Sequence, residues 1–202
     1  MRSLPQLFEN NRAWAARQVA HDAHYFDRLL EIQRPPFLWI GCADSRVPAN
    51  EIVGLAPGEI FVHRNVANIV RPDDPNALSV IQYAVDVLAV KHIIVTGHHG
   101  CGGITAALGP PAPEPLEGWL APVRSLRDRH ADELAALDPA DRTDRLCELN
   151  VAAQVRAVAK TGSVQRAWAA GQPLAIHGWF YDLKDGLLHD LDVTLDRPEA
   201  LR

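Results

Sequence analysis

The amino-acid sequence predicts an α/β fold: a central, mostly parallel β-sheet flanked by helices, with an N-terminal helical arm and a C-terminal β-hairpin. Short apolar runs, "PPFLWIGC" at 35–42 and "KHIIVTG" at 91–97, have the length and composition of strands buried on both faces of a parallel sheet. The second run passes through a glycine-rich turn into "ITAAL" at 104–108, the strand-to-helix order of a βαβ unit. Near the end, Asp185-Gly186 separates "PLAIHGWFYDL" from "LLHDLDV", and this dipeptide tolerates the positive φ angles of a tight hairpin turn.

In chain order, Ser3 can cap a first helix with Pro5 in its opening turn, and Leu4, Leu7, Phe8, Trp14 and Phe26 follow at loosely helical spacing to about Glu31. This is the arm, residues 1–34, ahead of a core at 35–202 in what reads as one domain of 1–202. "IFVHRNV" at 60–66 is a second strand, and "NALSVIQYAVDVLAV" places Leu78, Ile81, Ala84, Val85 and Leu88 on one helical face. The four prolines of "GPPAPEPLEG" remove donors and fix φ, so 109–118 is a loop before helices near 117–131 and 139–160.

Hydrophobic residues make up 48% and charged residues 22% of the 202, which excludes a disordered or collagen-like chain. The net charge of −5 carries no basic stripe, so nucleic acid is not an expected partner. The apolar runs fall far short of the ~20 residues that cross a bilayer. The N-terminus has no continuous apolar stretch before a small-residue cleavage site, and the expected compartment is the cytoplasm. Three cysteines, an odd number, argue against a disulfide framework and leave metal binding or catalysis to test.

Two clusters carry the chemistry. Cys42, Asp44 and Arg46 stand at alternate positions at the end of the first strand, where extended geometry would point them to one side. His98 and Cys101 follow another strand inside "GHHGCGG". In an open α/β sheet the crevice beyond the strands' C-terminal ends is the usual ligand site, and both clusters fall there. Two thiolates and an imidazole from Cys42, His98 and Cys101 suit Zn²⁺ in a tetrahedral shell. The fourth position is open to two readings. Asp44 as ligand would close the shell. Asp44 captured by Arg46 through paired charge-assisted hydrogen bonds would leave the position to water, and a lysine could not make that fork. A structural zinc protein with Asp44 bound permanently is the rival from another class. Cys147, in "DRLCELNV", reads as a small core residue, and His63, His99 and His177 have no ligand spacing of their own. The glycines of "GHHGCGGI" do not fit a nucleotide loop.

With "CADSRV" at 42–47, "FVHRNVAN" at 61–68, "GHHGCGG" at 97–103, "LCELNV" and "IHGWFYDLKDGLLHDLDV", the chain resembles the β-class carbonic anhydrases over nearly its whole length, and in particular bacterial members of the subgroup with a non-catalytic bicarbonate site. The resemblance implies one zinc per chain on Cys42, His98 and Cys101, with Asp44 as fourth ligand or paired with Arg46. It implies reversible hydration of carbon dioxide to bicarbonate and a proton by attack of hydroxide held on the metal. It places Gln33, Phe61, Val66, Tyr83 and the backbone of Gly102 around the substrate hole. It assigns Trp39, Arg64 and Tyr181 to a second bicarbonate site that favours the closed metal. A homodimer built with the N-terminal helices, or a homotetramer, is the implied assembly. His99 departs from the family pattern, and relatives that hydrolyse carbon disulfide or carbonyl sulfide on the same scaffold are the rival enzymes.

Overall fold

The computed structural model describes residues 4–31 and 33–198. The chain divides into two compact units, Met1–Gln33 and Arg34–Arg202. The first holds helices α1, Leu4–His21, and α2, Tyr25–Leu29. Trp14, Tyr25 and Phe26 meet edge to face, with ring centroids 5.0–6.2 Å apart, and this aromatic knot joins the two helices. No residue of α1 is buried, and Leu4, Leu7, Phe8 and Leu30 are exposed. The Ser3 cap lies outside the described residues.

The second unit is built on a five-stranded sheet in the order β2-β1-β3-β4-β5, with β1 at Phe37–Cys42, β2 at Ile60–Asn65, β3 at His92–His98, β4 at Ala175–Asp182 and β5 at Leu187–Asp190. The first four strands are parallel and β5 closes an antiparallel hairpin on β4. One face presents Leu38, Ile40, Ile93, Val95 and Ile176 to a core shared with α4, Pro75–Gln82, α8, Pro139–Ala159, and α9, Gly162–Ala169. Each fully buried aliphatic side chain there contributes about 1.5–3 kcal/mol. Helix α8 lies close on this face because β3 and β4 carry glycine beneath it. A Cβ at Gly97 would stand 2.6 Å from Val151 Cγ2, and one at Gly178 would stand 3.0 Å from Val151 Cγ1.

The opposite face buries Trp39, Ile60 and Ile94 with Ala49 of the short helix α3, Ala49–Val53. Helices α5, Gly102–Leu108, α6, Leu116–Arg129, and α7, Ala131–Ala135, enclose a further cluster that contains Cys42, Cys101 and Cys147. The predicted helix of 117–131 thus ends at Arg129 and a separate turn follows, while α3 and α9 are too short for their periodicity to register. Helix α4 runs on as a π-helical turn over Tyr83–Val87. Pairing of Gly41 with Thr96 brings the C-terminal ends of β1 and β3 side by side, which sets Cys42 and His98 at one rim of the sheet.

Candidate active site

Among the described residues, ligand atoms of Cys42, His98 and Cys101 all lie within 4.8 Å of one another. The two sulfurs are 3.7 Å apart. All three residues are buried. His98 Nδ1 faces the carbonyl oxygen of His99 at 3.0 Å, so it carries the proton and donates. Its Nε2 is left buried with no hydrogen-bond partner among the described residues, beside the two thiols. An orphaned imidazole nitrogen beside two thiols is a donor set that zinc satisfies and that little else explains. Without a cation the Cys42 thiol is pushed up to about 12, first by the neighbouring Cys101 and then by burial. Cys101 is pushed up to about 11, first by its contact with Cys147. Two thiols this close cannot both ionise unless a positive charge lies between them.

Asp44 Oδ2 stands 3.7 Å from His98 Nε2 at the edge of this cluster. Its carboxylate is gripped by Arg46: Nε donates to Oδ1 at 2.9 Å and a terminal nitrogen donates to Oδ2 at 2.7 Å. The Arg46 guanidinium holds the Asp44 carboxyl well below the usual carboxylate range. Of the two arrangements the spacing left open, the structure holds Asp44 on Arg46.

The turn after β2 forms one wall. Ala67 and Asn68 have φ of 61° and 46°, left-handed values that cost energy for residues with a side chain. Three amide side chains hold them there. Asn65 donates to the carbonyl of Ile69 and accepts its N–H, both at 2.8 Å. From α8, Asn150 donates to the Ala67 carbonyl at 2.9 Å, and Gln154 accepts the Val70 N–H at 2.8 Å while donating to Asn150. The turn sets Val66 against Gly103, where any Cβ would meet Val66 Cγ1 at 2.8 Å. Trp119 Nε1 donates to the Val66 carbonyl at 2.9 Å. None of these positioning residues was among the sequence candidates. The signal available was polar Asn150 and Gln154, one turn apart on the same face of α8.

Of the remaining candidates, Phe61 and Tyr83 meet in a tilted ring contact with centroids 5.9 Å apart, Tyr83 being exposed. Gly102 opens α5 directly after Cys101. Gln33 is exposed and closes the N-terminal unit. Strand register puts Trp39, Arg64 and Tyr181 on one face of the sheet. Trp39 is fully buried and its Nε1 has no partner among the described residues. Arg64 donates from Nε to the Cys42 carbonyl at 2.7 Å and from a terminal nitrogen to the Asp44 carbonyl.

Fold and site together define an α/β protein with a buried thiol–imidazole–thiol cluster able to hold a metal ion at the strand ends, flanked by a restrained carboxylate. The family model described as carbonic anhydrase matches residues 37–188, and the chain belongs to that family, in its β class. It is 49% identical to a carbonic anhydrase of Emericella nidulans over 93% of this chain and 83% of the relative. A Coccomyxa β-carbonic anhydrase solved in complex with acetazolamide superposes with a TM-score of 0.94 at 42% identity, covering 98% of this chain and 90% of the other. One of two tetrameric β-carbonic anhydrases of Sordaria macrospora gives 0.91 at 40% identity over 94% and 97%. The comparisons support fungal homologues in place of the expected bacterial grouping. No helix among the described residues is long and apolar enough to cross a membrane.

Proposed function

We propose that this carbonic anhydrase hydrates carbon dioxide reversibly to bicarbonate and a proton at one zinc ion held by Cys42, His98 and Cys101. The observation that carries the reading is the Asp44–Arg46 fork beside the orphaned His98 Nε2. Zinc, when bound, lowers the pKa of a water molecule and makes it a nucleophile near neutral pH. The chain's own residues do the rest. His99's carbonyl fixes the tautomer and tilt of His98. Asp44, ionised and oriented by Arg46, accepts a proton bond at the reacting position. Val66, Phe61, Tyr83 and the Gly102 backbone would supply the apolar side that admits carbon dioxide. Asp44, if released from Arg46, would be the residue placed to close the site.

Bicarbonate binding at Trp39, Arg64 and Tyr181 is the regulatory part of the same reading. Two buried polar atoms without partners among the described residues, Trp39 Nε1 and Thr96 Oγ1, lie on the sheet face that carries Arg64, and Arg64 already grips the backbone of Cys42 and Asp44. An anion there would compete for Arg64 and loosen the segment that presents Asp44. The assembly we propose is a homodimer or homotetramer. The uncovered Leu4, Leu7 and Phe8 of α1 support it, as does the tetrameric Sordaria macrospora protein. The cytoplasm is the proposed compartment, since free buried thiols suit a reducing environment. Stopped-flow hydration rates measured with zinc content, across pH and bicarbonate concentration, test the whole. Turnover proportional to zinc is expected, with inhibition by bicarbonate that disappears in Arg64→Ala. Full turnover without zinc sinks the catalytic reading, and unchanged inhibition in Arg64→Ala sinks the regulatory one.

A further inference from the structure

We propose that Asp144, on α8, is a positioning residue for the metal, acting through the His99–Gly100 peptide to aim His98. The inference rests on the zinc reading above and adds to it a carboxylate that touches neither metal nor substrate.

One peptide unit links the two groups. Its N–H, on Gly100, donates to Asp144 Oδ1 at 3.1 Å. Its carbonyl, on His99, accepts from His98 Nδ1 at 3.0 Å. A trans peptide is planar, with N–H and C=O pointing in opposite directions, so fixing one end fixes the direction of the other. A carboxylate accepting the N–H also polarises the unit and makes its oxygen a better acceptor for the imidazole proton. Metal-bound histidines commonly donate to a carboxylate directly. Here a peptide is inserted between the two.

Asp144 is itself held. Its Oδ2 lies 2.6 Å from His99 Nδ1 and 3.8 Å from Lys184 Nζ, and its side chain is only 18% exposed. His99 therefore spans the device: its ring meets the carboxylate and its carbonyl meets His98. Gly100, with φ of 59°, turns the chain so that its N–H reaches α8 while Cys101 returns to the metal. Since α8 also carries Asn150 and Gln154, one rigid helix sets both the metal loop and the opposite wall.

The test uses the full-length zinc protein and its Asp144→Ala and Asp144→Asn variants, with two readouts: zinc release to a competing chelator and the visible spectrum after cobalt substitution. Asp144→Ala should speed release by roughly 10- to 100-fold and shift the cobalt bands, as lost outer carboxylates do elsewhere. Asp144→Asn keeps an oxygen for the Gly100 N–H but loses the charge, so it should fall between wild type and alanine. A purely structural role for Asp144 would lower the melting temperature without moving the cobalt bands. Release within about twofold of wild type in both variants, with unchanged bands, overturns the proposal. If Asp144→Ala does not fold, Asp144→Asn decides: acceleration of about threefold or more supports it, and less overturns it. A wild-type chain that takes up no stoichiometric zinc defeats the metal reading itself, a result distinct from equal release by all three proteins.

Discussion

Arg46 holds Asp44 with three N–H groups: its own backbone amide reaches Oδ1 at 3.0 Å, Nε reaches the same oxygen at 2.9 Å, and a terminal nitrogen reaches Oδ2 at 2.7 Å. The backbone contact matters because it survives removal of the side chain. Arg46→Ala therefore leaves Asp44 near its place but free to rotate toward His98 Nε2, now 3.7 Å away. Zinc content should stay whole while kcat/KM falls by roughly 10- to 100-fold. Arg46→Lys should recover little, since an ammonium cannot fork. Asp44→Asn, which removes the proton acceptor, should cost on the order of 10²–10⁴ in rate. Stopped-flow hydration assays with metal analysis check all three, and an active Arg46→Ala enzyme would count against the restraint.

That pair was legible in the sequence because both partners sit within one turn of chain, as were Cys42, His98 and Cys101, whose spacing marks two strand ends. Strands β1 and β3 were legible for a similar reason: they are buried on both faces and read as unbroken apolar runs. Asp144, Asn150 and Gln154 were not, because nothing local says that α8 crosses above the metal loop. Their meaning depends on contacts across 44 and more residues of chain. The left-handed Ala67 was likewise invisible, since alanine carries no signal for a positive φ and the cause lies in amides supplied by other elements.

Zinc uptake should release close to two protons per ion near neutral pH. Without the ion, neighbouring thiols and burial push Cys42 up to about 12 and Cys101 up to about 11, so both thiols are protonated and the ion must displace both protons. Affinity consequently falls as pH falls, by about 100-fold per unit while both protons are exchanged. Calorimetry in buffers of different ionisation enthalpy counts the protons. Cys101→Ser should release about one and lose stoichiometric zinc at micromolar metal. Uptake with no proton release would show that the thiols are not the ligands.

Removing Asn150 should unfold the wall before it touches the metal. Asn150→Ala strands the buried carbonyl of Ala67 and one donor of Gln154, at a cost of about 1–3 kcal/mol for each group left unsatisfied. A lower melting temperature is expected, with a fall in kcat/KM as Val66 loses its support. Zinc affinity should be nearly unchanged, because the metal loop is held by Asp144 and not by Asn150. Thermal denaturation beside chelator competition separates the two effects, and a large loss of zinc from Asn150→Ala would contradict the division of labour along α8.

Beyond the weakening of zinc binding, stability should decline between pH 7 and 5 because of histidines, ahead of any carboxylate. Burial lowers the pKa of His63, and burial followed by the charge of His92 lowers that of His177. His177 Nε2 meets His92 Nδ1 at 3.1 Å, its Nδ1 meets Thr194 Oγ1 at 3.2 Å, and Asp190 is the acid that acts on it in the opposite sense. A base with a lowered folded pKa is protonated first in the unfolded chain, near ~6.5. Its contribution is therefore complete above that value and is lost as pH falls toward the lower folded pKa. The carboxylates of Asp44, Glu117 and Glu133 are shifted down from ordinary values, so their contributions persist until about pH 4 and are lost only below it. His177→Phe removes one of the two histidine contributions and should flatten the fall in melting temperature over this window, at saturating zinc in both proteins. Equal slopes for wild type and His177→Phe would show that the imidazole pair on β3 and β4 does not set the acid limit of the fold.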